Sequence, residues 1–301
     1  MDKPADERSP PELTALELIA HLQGELSLAS RLGGLLSPPA QGSAQLPATG
    51  PAAALAFDGD GTLWTGDVGE DVFHALLEQG GLKAEVLAPL QAFAARHGVE
   101  AETAGPAEQR ALQLAHAVYR GYVAERVAER AICELMAWCF AGWTATSRQA
   151  FVSHVLSQRR LGERRIPESN QVLEWARSQG LRCVLISASP DAVVEVAGAT
   201  YGFARADIQG IRTAMQGSVV DAAVEGPTTY AEGKASVGEA LLGATPWLAA
   251  FGDSVFDAAM LRKARVGVGV RSKPCLLREL SAIPSGVRLA RSPTPPSPER
   301  R

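Results

Sequence analysis

Four short apolar runs constrain the fold of this chain more than any other feature. Ala54 to Phe57, Arg182 to Ile186, Trp247 to Phe251 and Val266 to Val270 are apolar almost throughout, rather than alternating with polar residues. Strands of that kind are buried on both faces, as in a parallel sheet covered by helices. Segments with helical periodicity separate the runs, and this βαβ alternation predicts an α/β fold with a doubly wound, Rossmann-like parallel sheet at its core. The 301 residues, 46% of them hydrophobic, suffice for a full core.

Between the first and second runs lies a long segment, Asp67 to Pro167, that reads as helical almost throughout. Within it, Glu108 to Phe140 places Leu112, Ala115, Tyr119, Tyr122 and Val123 on one face. The expectation is an inserted α-helical cap at 67–167, with the core formed by 52–66 and 168–290. Ahead of the core, Leu13, Leu16, Ile19, Leu22 and Leu26 recur at helical spacing, so Glu12 to about Leu36 reads as one or two amphipathic helices of an accessory arm. Ser37 to Pro51 is rich in Pro, Gly, Ala and Ser, and completes an arm and flexible linker over 1–51. Ile208 to Val220, with Gly210 and Gly217, carries the signals of a small hairpin. Proline-rich 291–301 reads as a disordered tail.

The formal net charge of −4 provides no general attraction to nucleic acid or to anionic membranes. No stretch approaches the roughly 18 apolar residues of a membrane span, and the start lacks the basic and apolar pattern of a secretory signal. A cytoplasmic, soluble protein with a small or locally steered partner is expected. Cys133, Cys139, Cys183 and Cys275 show no zinc-binding spacing and read as free thiols. His21, His74, His97, His116 and His154 show no metal-ligand or triad spacing either.

The chemistry concentrates where the first run ends, at Asp58-Gly59-Asp60-Gly61-Thr62-Leu63. Two carboxylates one residue apart at a strand's end create a strongly negative site, for which Mg²⁺ is the expected guest. The glycines allow a tight turn and let a ligand approach backbone N–H groups, an arrangement that suits phosphate oxygens. A plain turn would use the same residue types. A calcium loop needs Asp or Asn fifth, Gly sixth and Glu twelfth, whereas those places hold Thr62, Leu63 and Gly69. Ser187 and Ser189 follow the second run, Lys234 sits in Glu232-Gly233-Lys234, and Gly252-Asp253-Ser254-Val255-Phe256-Asp257 follows the third. In an open parallel sheet, ligands bind beyond the carboxyl ends of the strands, so these groups can converge. A P-loop is excluded because Ala235 follows Lys234 and Thr228 holds the upstream glycine position. Ser187 also lacks the Gly-x-Ser-x-Gly setting of a hydrolase nucleophile.

This ordered set resembles the haloacid dehalogenase superfamily over about Leu55 to Asp257. The cap placement and Ser187-Ala188-Ser189-Pro190-Asp191 are similar to its phosphoserine-phosphatase-like branch. The resemblance implies a Mg²⁺-dependent phosphatase of small phosphate monoesters. Asp58 would be the nucleophile that forms an aspartyl-phosphate, and Asp60 the acid and base. Asp58, the Asp60 carbonyl, Asp253 and Asp257 would hold the metal. Ser187, Lys234, Gly61 and Ala188 would bind the phosphoryl group. Asp67 or Glu70 would be the cap carboxylate that reads the substrate, and either reads equally as a helix-start acid. Gly61 and Ser187-Ala188-Ser189 depart from the usual pattern of phosphoserine phosphatase, so phosphoserine is one candidate substrate among others. A phosphotransferase and a non-catalytic phosphate-binding protein are the alternatives.

Overall fold

A computed structural model describes residues 9–36 and 51–293 of the protein. The expected linker therefore lies outside the described residues except for Pro51, and the expected tail does so beyond residue 293. The first half of the chain carries β1 (Glu12–Leu13), α1 (Ala15–Leu36), β2 (Ala54–Phe57), α2 (Val68–Glu78), α3 (Leu87–Arg96), α4 (Ala107–Val123), α5 (Glu129–Trp138) and α6 (Ala145–Gln158). There follow α7 (Pro167–Ser178), β3 (Arg182–Pro190), α8 (Asp191–Thr200), β4 (Ile208–Ile211), β5 (Thr213–Gln216) and β6 (Val219–Val224). The chain continues with α9 (Glu232–Leu242), β7 (Trp247–Gly252), α10 (Ala258–Lys263), β8 (Val266–Val270), α11 (Pro274–Ser281) and β9 (Gly286–Leu289). Among the described residues no helix is long and apolar enough to cross a membrane.

Seven strands form one sheet in the order β1-β9-β8-β7-β2-β3-β4. The β1/β9, β9/β8, β8/β7, β7/β2 and β3/β4 pairs are parallel. All four residues of β2 and all five of β8 are buried, as helices on both faces of a parallel sheet require. From β2 the chain builds β3 and β4 on one side, then crosses to β7, β8 and β9 on the other. The strand order therefore reverses at β2 and β7, the switch point where α/β sheets bind ligands. Phe57 and Phe251 are register partners there, and their rings stack 4.4 Å apart. Truncating such a fully buried aromatic costs about 3–5 kcal/mol.

The chain divides into two compact units: Met1–Thr65, Arg165–Val184 and Gly238–Arg301 in the first, Gly66–Arg164 and Leu185–Val237 in the second. The first unit takes in the described N-terminal residues 9–36. Glu12 and Leu13 add an edge strand to β9, paired with Arg288 and Leu289. α1 opens with a reciprocal cap, in which the Thr14 hydroxyl accepts from Glu17 N and the Glu17 carboxylate accepts from Thr14 N. Burial follows Ala15, Leu18 and Leu22, while Leu16, expected on the apolar face, is 68% exposed. Pro167 sits in the first turn of α7, where its missing N–H costs nothing.

Also in the first unit, Glu168 is completely buried and accepts from Arg271 Nε at 2.8 Å and from Arg271 Nη2 and Ser292 N at 3.4 Å. Burial pushes its carboxyl up, but the Arg271 side chain and backbone N–H donors outweigh that and hold it below the ordinary value. Its folded pKa thus lies below the unfolded one. The stability it contributes is present above the unfolded carboxylate range near pH 4.3 and is lost as pH falls through the folded value. Glu168→Ala should destabilise the protein by about 3 kcal/mol, the low end for breaking a buried pair, because Arg271 retains some solvent contact. Urea denaturation at pH 7 tests this, and the gap between variant and parent should narrow towards pH 3.

The second unit is mainly helical. Its helices start on side-chain caps where the sequence provides them: Asp67 accepts from Glu70 N at 2.8 Å, and Thr144 from Ser147 N at 3.1 Å. The long helical stretch breaks between α4 and α5, where Glu125 takes a positive φ of 57°. Val123, expected on the apolar face with Ala115, is 66% exposed because it ends α4 just ahead of that break. The hairpin is real but displaced. β4 joins the main sheet beside β3, and the antiparallel pair is β5 and β6, turning at Gly217 with φ +62°. Gly210 lies in β4 because a Cβ there would come within 2.8 Å of the Ser189 carbonyl oxygen. None of the four cysteines forms a disulfide, and burial pushes the Cys139 thiol well up, leaving it unreactive.

Candidate active site

In the first unit, β2 delivers Asp58 to the end of the sheet with 5% exposure, its N–H bonded to Phe251 O at 2.9 Å. The chain then folds tightly, with Thr62 N, Leu63 N and Trp64 N all donating to Gly59 O. Gly61 makes this possible through a φ of +73°, and a Cβ on it would also lie 2.5 Å from Asp253 Oδ2. Thr62 Oγ1 lies 3.3 Å from Asp58 Oδ2. Asp60 is half-buried, and the Trp64 indole donates to its Oδ1 at 2.7 Å.

From β7 come Asp253, 8% exposed, and Asp257, completely buried. Asp257 Oδ2 accepts from Asp253 N, Ser254 N and Ser254 Oγ at 3.0–3.1 Å, which fastens the loop onto the next helical turn. Gly252 permits that closure, since a Cβ there would meet the Asp257 side chain at 2.3 Å. Asp58, Asp253 and Asp257 each bring a carboxylate oxygen into a group spanning no more than 4.8 Å. Three buried carboxylates repel one another, and a compact set of hard oxygen donors fits a hard divalent cation such as Mg²⁺ better than a soft one. The Asp60 carboxylate is not in this group. The carboxylates of the first motif's two aspartates thus part company, one with the carboxylate cluster and one with the indole. Lys273, which the sequence reading did not single out, lies just beyond β8. Its Nζ reaches Asp253 Oδ2 at 3.0 Å, and its N–H bonds Asp253 O at 2.8 Å.

Ser187, Ala188 and Lys234 belong to the second unit. Ser187 is 1% exposed; its Oγ accepts from Ser189 N at 3.1 Å, and its carbonyl accepts from Thr229 Oγ1 at 2.5 Å. Ala188 is half-buried. Lys234 is 3% exposed in the first turn of α9, where the helix macrodipole opposes a cation. A buried ammonium needs polar company, so this lysine is held among polar groups rather than packed as an apolar stem. The preceding loop is compressed: Ala231 adopts φ +49°, and a Cβ on Gly233 would overlap the Thr228 carbonyl.

The carboxylate of Asp67 serves as the cap of α2, so a helix-start role is met for this residue. Glu70 faces a different environment, with the Tyr119 hydroxyl 3.2 Å from its Oε1. Burial and the nearby Glu70 push the Tyr119 phenol up to about 12, so it stays a hydrogen-bond donor. Burial likewise raises Tyr122 and Tyr230, with Glu129 next among the causes for both, and Lys234 acting on Tyr230 in the opposite sense. The sequence reading took Tyr119 and Tyr122 only as part of an apolar helix face and did not single out Tyr230 or Glu129.

The comparisons with known proteins agree with this architecture. Solved structures similar to the chain include a protein of unknown function from Bordetella pertussis Tohama I, at 17% identity and TM-score 0.57, covering 79% of this chain and 99% of that one. Another is a functionally unknown protein from Anaerococcus prevotii DSM 20548, at 14% identity and TM-score 0.59, covering 93% of this chain and 92% of that one. A HAD family hydrolase from Salmonella enterica subsp. enterica serovar Typhi aligns at 15% identity and TM-score 0.51, over 79% of this chain and 68% of that one. At such identities the likeness is one of fold. No curated protein matches the chain significantly. The family model for haloacid dehalogenase-like hydrolases matches residues 55–262, a span that begins in β2, takes in all the motifs above and ends in α10. The chain belongs to the haloacid dehalogenase-like hydrolase family.

Proposed function

We propose that this hydrolase is a Mg²⁺-dependent phosphatase that cleaves a small phosphate monoester through an aspartyl-phosphate on Asp58. The observation that supports the reading best is the division of labour between the paired aspartates. Asp58 stands with Asp253 and Asp257 within 4.8 Å, while the Asp60 carboxylate is turned to Trp64. Displacement of a halide needs a nucleophile but no acid two residues on. Cleaving a P–O bond to an alcohol needs a proton for the departing oxygen, and Asp60 is the group that can provide it.

In this mechanism an Asp58 oxygen attacks phosphorus, the bond to the ester oxygen breaks, and Asp60 transfers its proton to that oxygen to release the alcohol. Asp60, now a carboxylate, takes a proton from water as the water oxygen attacks the acyl phosphate. The bond from phosphorus to Asp58 breaks, releasing inorganic phosphate and restoring both side chains. Asp58, Asp253 and Asp257, with the Asp60 carbonyl, would hold Mg²⁺, which when bound offsets the charge repulsion between carboxylate and phosphate. Ser187 and Lys234, with the backbone N–H of Ala188, are assigned to the phosphoryl oxygens on the order of the motifs; the Gly61 N–H, also expected there, donates to Trp64 O. Glu70 and its tyrosine neighbours are the proposed readers of the leaving group, in preference to Asp67, whose carboxylate caps α2. They suit a polar alcohol, of which phosphoserine is one example.

The test is direct. Purified protein should release p-nitrophenol from p-nitrophenyl phosphate with added Mg²⁺ and stop when EDTA is supplied in excess. A panel of phosphorylated metabolites then ranks natural leaving groups. Glycerol phosphate formed in the presence of glycerol would favour a transferase over a hydrolase.

A further inference from the structure

We infer that Trp64 is a positioning residue for the acid–base group: its indole N–H fixes Asp60 Oδ1, so that proton exchange with the leaving group and with water runs through Asp60 Oδ2. The inference rests on the phosphatase reading and adds to it a residue outside the assigned site. Trp64 is completely buried, yet its nitrogen lies only 2.7 Å from Asp60 Oδ1. An indole nitrogen can only donate, whatever the state of its partner. Oδ1 is therefore an acceptor when Asp60 is a carboxylate and also when it is an acid; a carbonyl oxygen accepts better than a hydroxyl, so the indole favours the acid form that carries its exchanging proton on Oδ2.

The indole is held from several directions. Its ring lies against the backbone between the two aspartates, and a Cβ on Gly59 would be 2.5 Å from Trp64 Cζ2, so the ring occupies space that only glycine leaves open. Trp64 O accepts from Gly61 N at 2.8 Å, and Trp64 N donates to Gly59 O at 3.3 Å. The residue before it is pinned as well, with Leu63 O accepting from Ile166 N at 3.0 Å and from the Asn170 side chain at 2.8 Å. A side chain so confined sets the plane of the Asp60 carboxyl by its own position, rather than following it. A core tryptophan serving only as filler would need its N–H satisfied too, but any nearby carbonyl could do that. Here the partner is the carboxylate that the reaction uses.

The distinguishing property of such a residue is selectivity for leaving groups. p-Nitrophenolate departs without a proton, whereas an alkoxide requires one, so kcat/KM for an alkyl phosphate depends on a well-aimed acid and kcat/KM for the aryl ester does not. General acid–base catalysis contributes about 10²–10⁴-fold. Trp64→Phe keeps most of the ring volume and removes the donor. It should lower kcat/KM for β-glycerophosphate or phosphoserine by at least about 10-fold more than for p-nitrophenyl phosphate. In an Asp60→Asn background the same change should add no selective loss. Equal losses on both esters, or no loss on either, would overturn the inference. A wild-type protein inactive on both would instead count against the phosphatase reading.

A second measurement needs no substitution at position 64. The five tryptophans provide five indole N–H resonances in protein labelled with ¹⁵N tryptophan. A strong bond to a carboxylate makes one of them move markedly upfield in Asp60→Asn. If none moves, Trp64 is not bonded to Asp60 in solution and the assignment fails, even if Trp64→Phe does not fold.

Discussion

Asp58→Asn is expected to lower phosphatase turnover by about 10⁴-fold or more, the scale on which removing a nucleophile disables an enzyme that works through a covalent intermediate. The amide is nearly isosteric, so the turn around Gly59 and Gly61 should survive, and the loss should appear in kcat with substrate binding largely kept. Quenched reactions of the parent should yield an acid-stable, base-labile phosphoprotein that the variant does not form. A stability change of opposite sign should accompany the loss. Asp58 is one of three carboxylates crowded within 4.8 Å, and neutralising it removes like-charge repulsion. Metal-free Asp58→Asn should therefore melt above the metal-free parent, and its melting temperature should rise less when Mg²⁺ is added. Such an exchange of activity for stability is common where a site holds charges in readiness for a ligand.

The second large effect is expected at Asp253. Asp253→Asn keeps the shape of the loop after β7 and the backbone N–H that Asp257 Oδ2 accepts, but it removes one charge from the metal group and the ionic partner of Lys273. The Mg²⁺ concentration for half-maximal rate should rise by about 100-fold or more, above the 10–100-fold typical of losing an outer partner. Titration with Mg²⁺ at fixed p-nitrophenyl phosphate measures it. Lys273→Ala should do much less, because that ammonium is largely exposed and well screened. If both variants needed the same extra Mg²⁺, the carboxylate group would not be the cation site.

Much of the fold was legible in the sequence because buried parallel strands announce themselves as short apolar runs. Ala54–Phe57 and Val266–Val270 occupy the residues expected of them, while β3 and β7 extend beyond their runs to Pro190 and Gly252. β1, β4 and β9 were not legible. At two to four residues each, they are too short to carry a period, and pairing with a neighbour makes them strands. The same limit hid the true hairpin. Gly217 marked its turn correctly, but Ile208 to Ile211 reads the same whether it pairs with β3 or with the following strand.

The site divides along the same line. The sequence alone determined the Asp58-Gly59-Asp60-Gly61 turn and the Asp253-to-Asp257 loop, because both are local: short segments whose glycines meet steric demands and whose acids end strands. Only the tertiary structure decided what each acid does. Register between β2 and β7 sets Phe57 beside Phe251, and so brings Asp58 to Asp253 and Asp257. Asp257 also spends one oxygen on closing its own loop. Trp64 lies only four residues from Asp60, yet nothing in its spacing distinguished it from a core residue. The apolar ring of Trp64 suits the core, where it is buried; the packing of the turn decides where its single polar atom points, and here that is at a carboxylate.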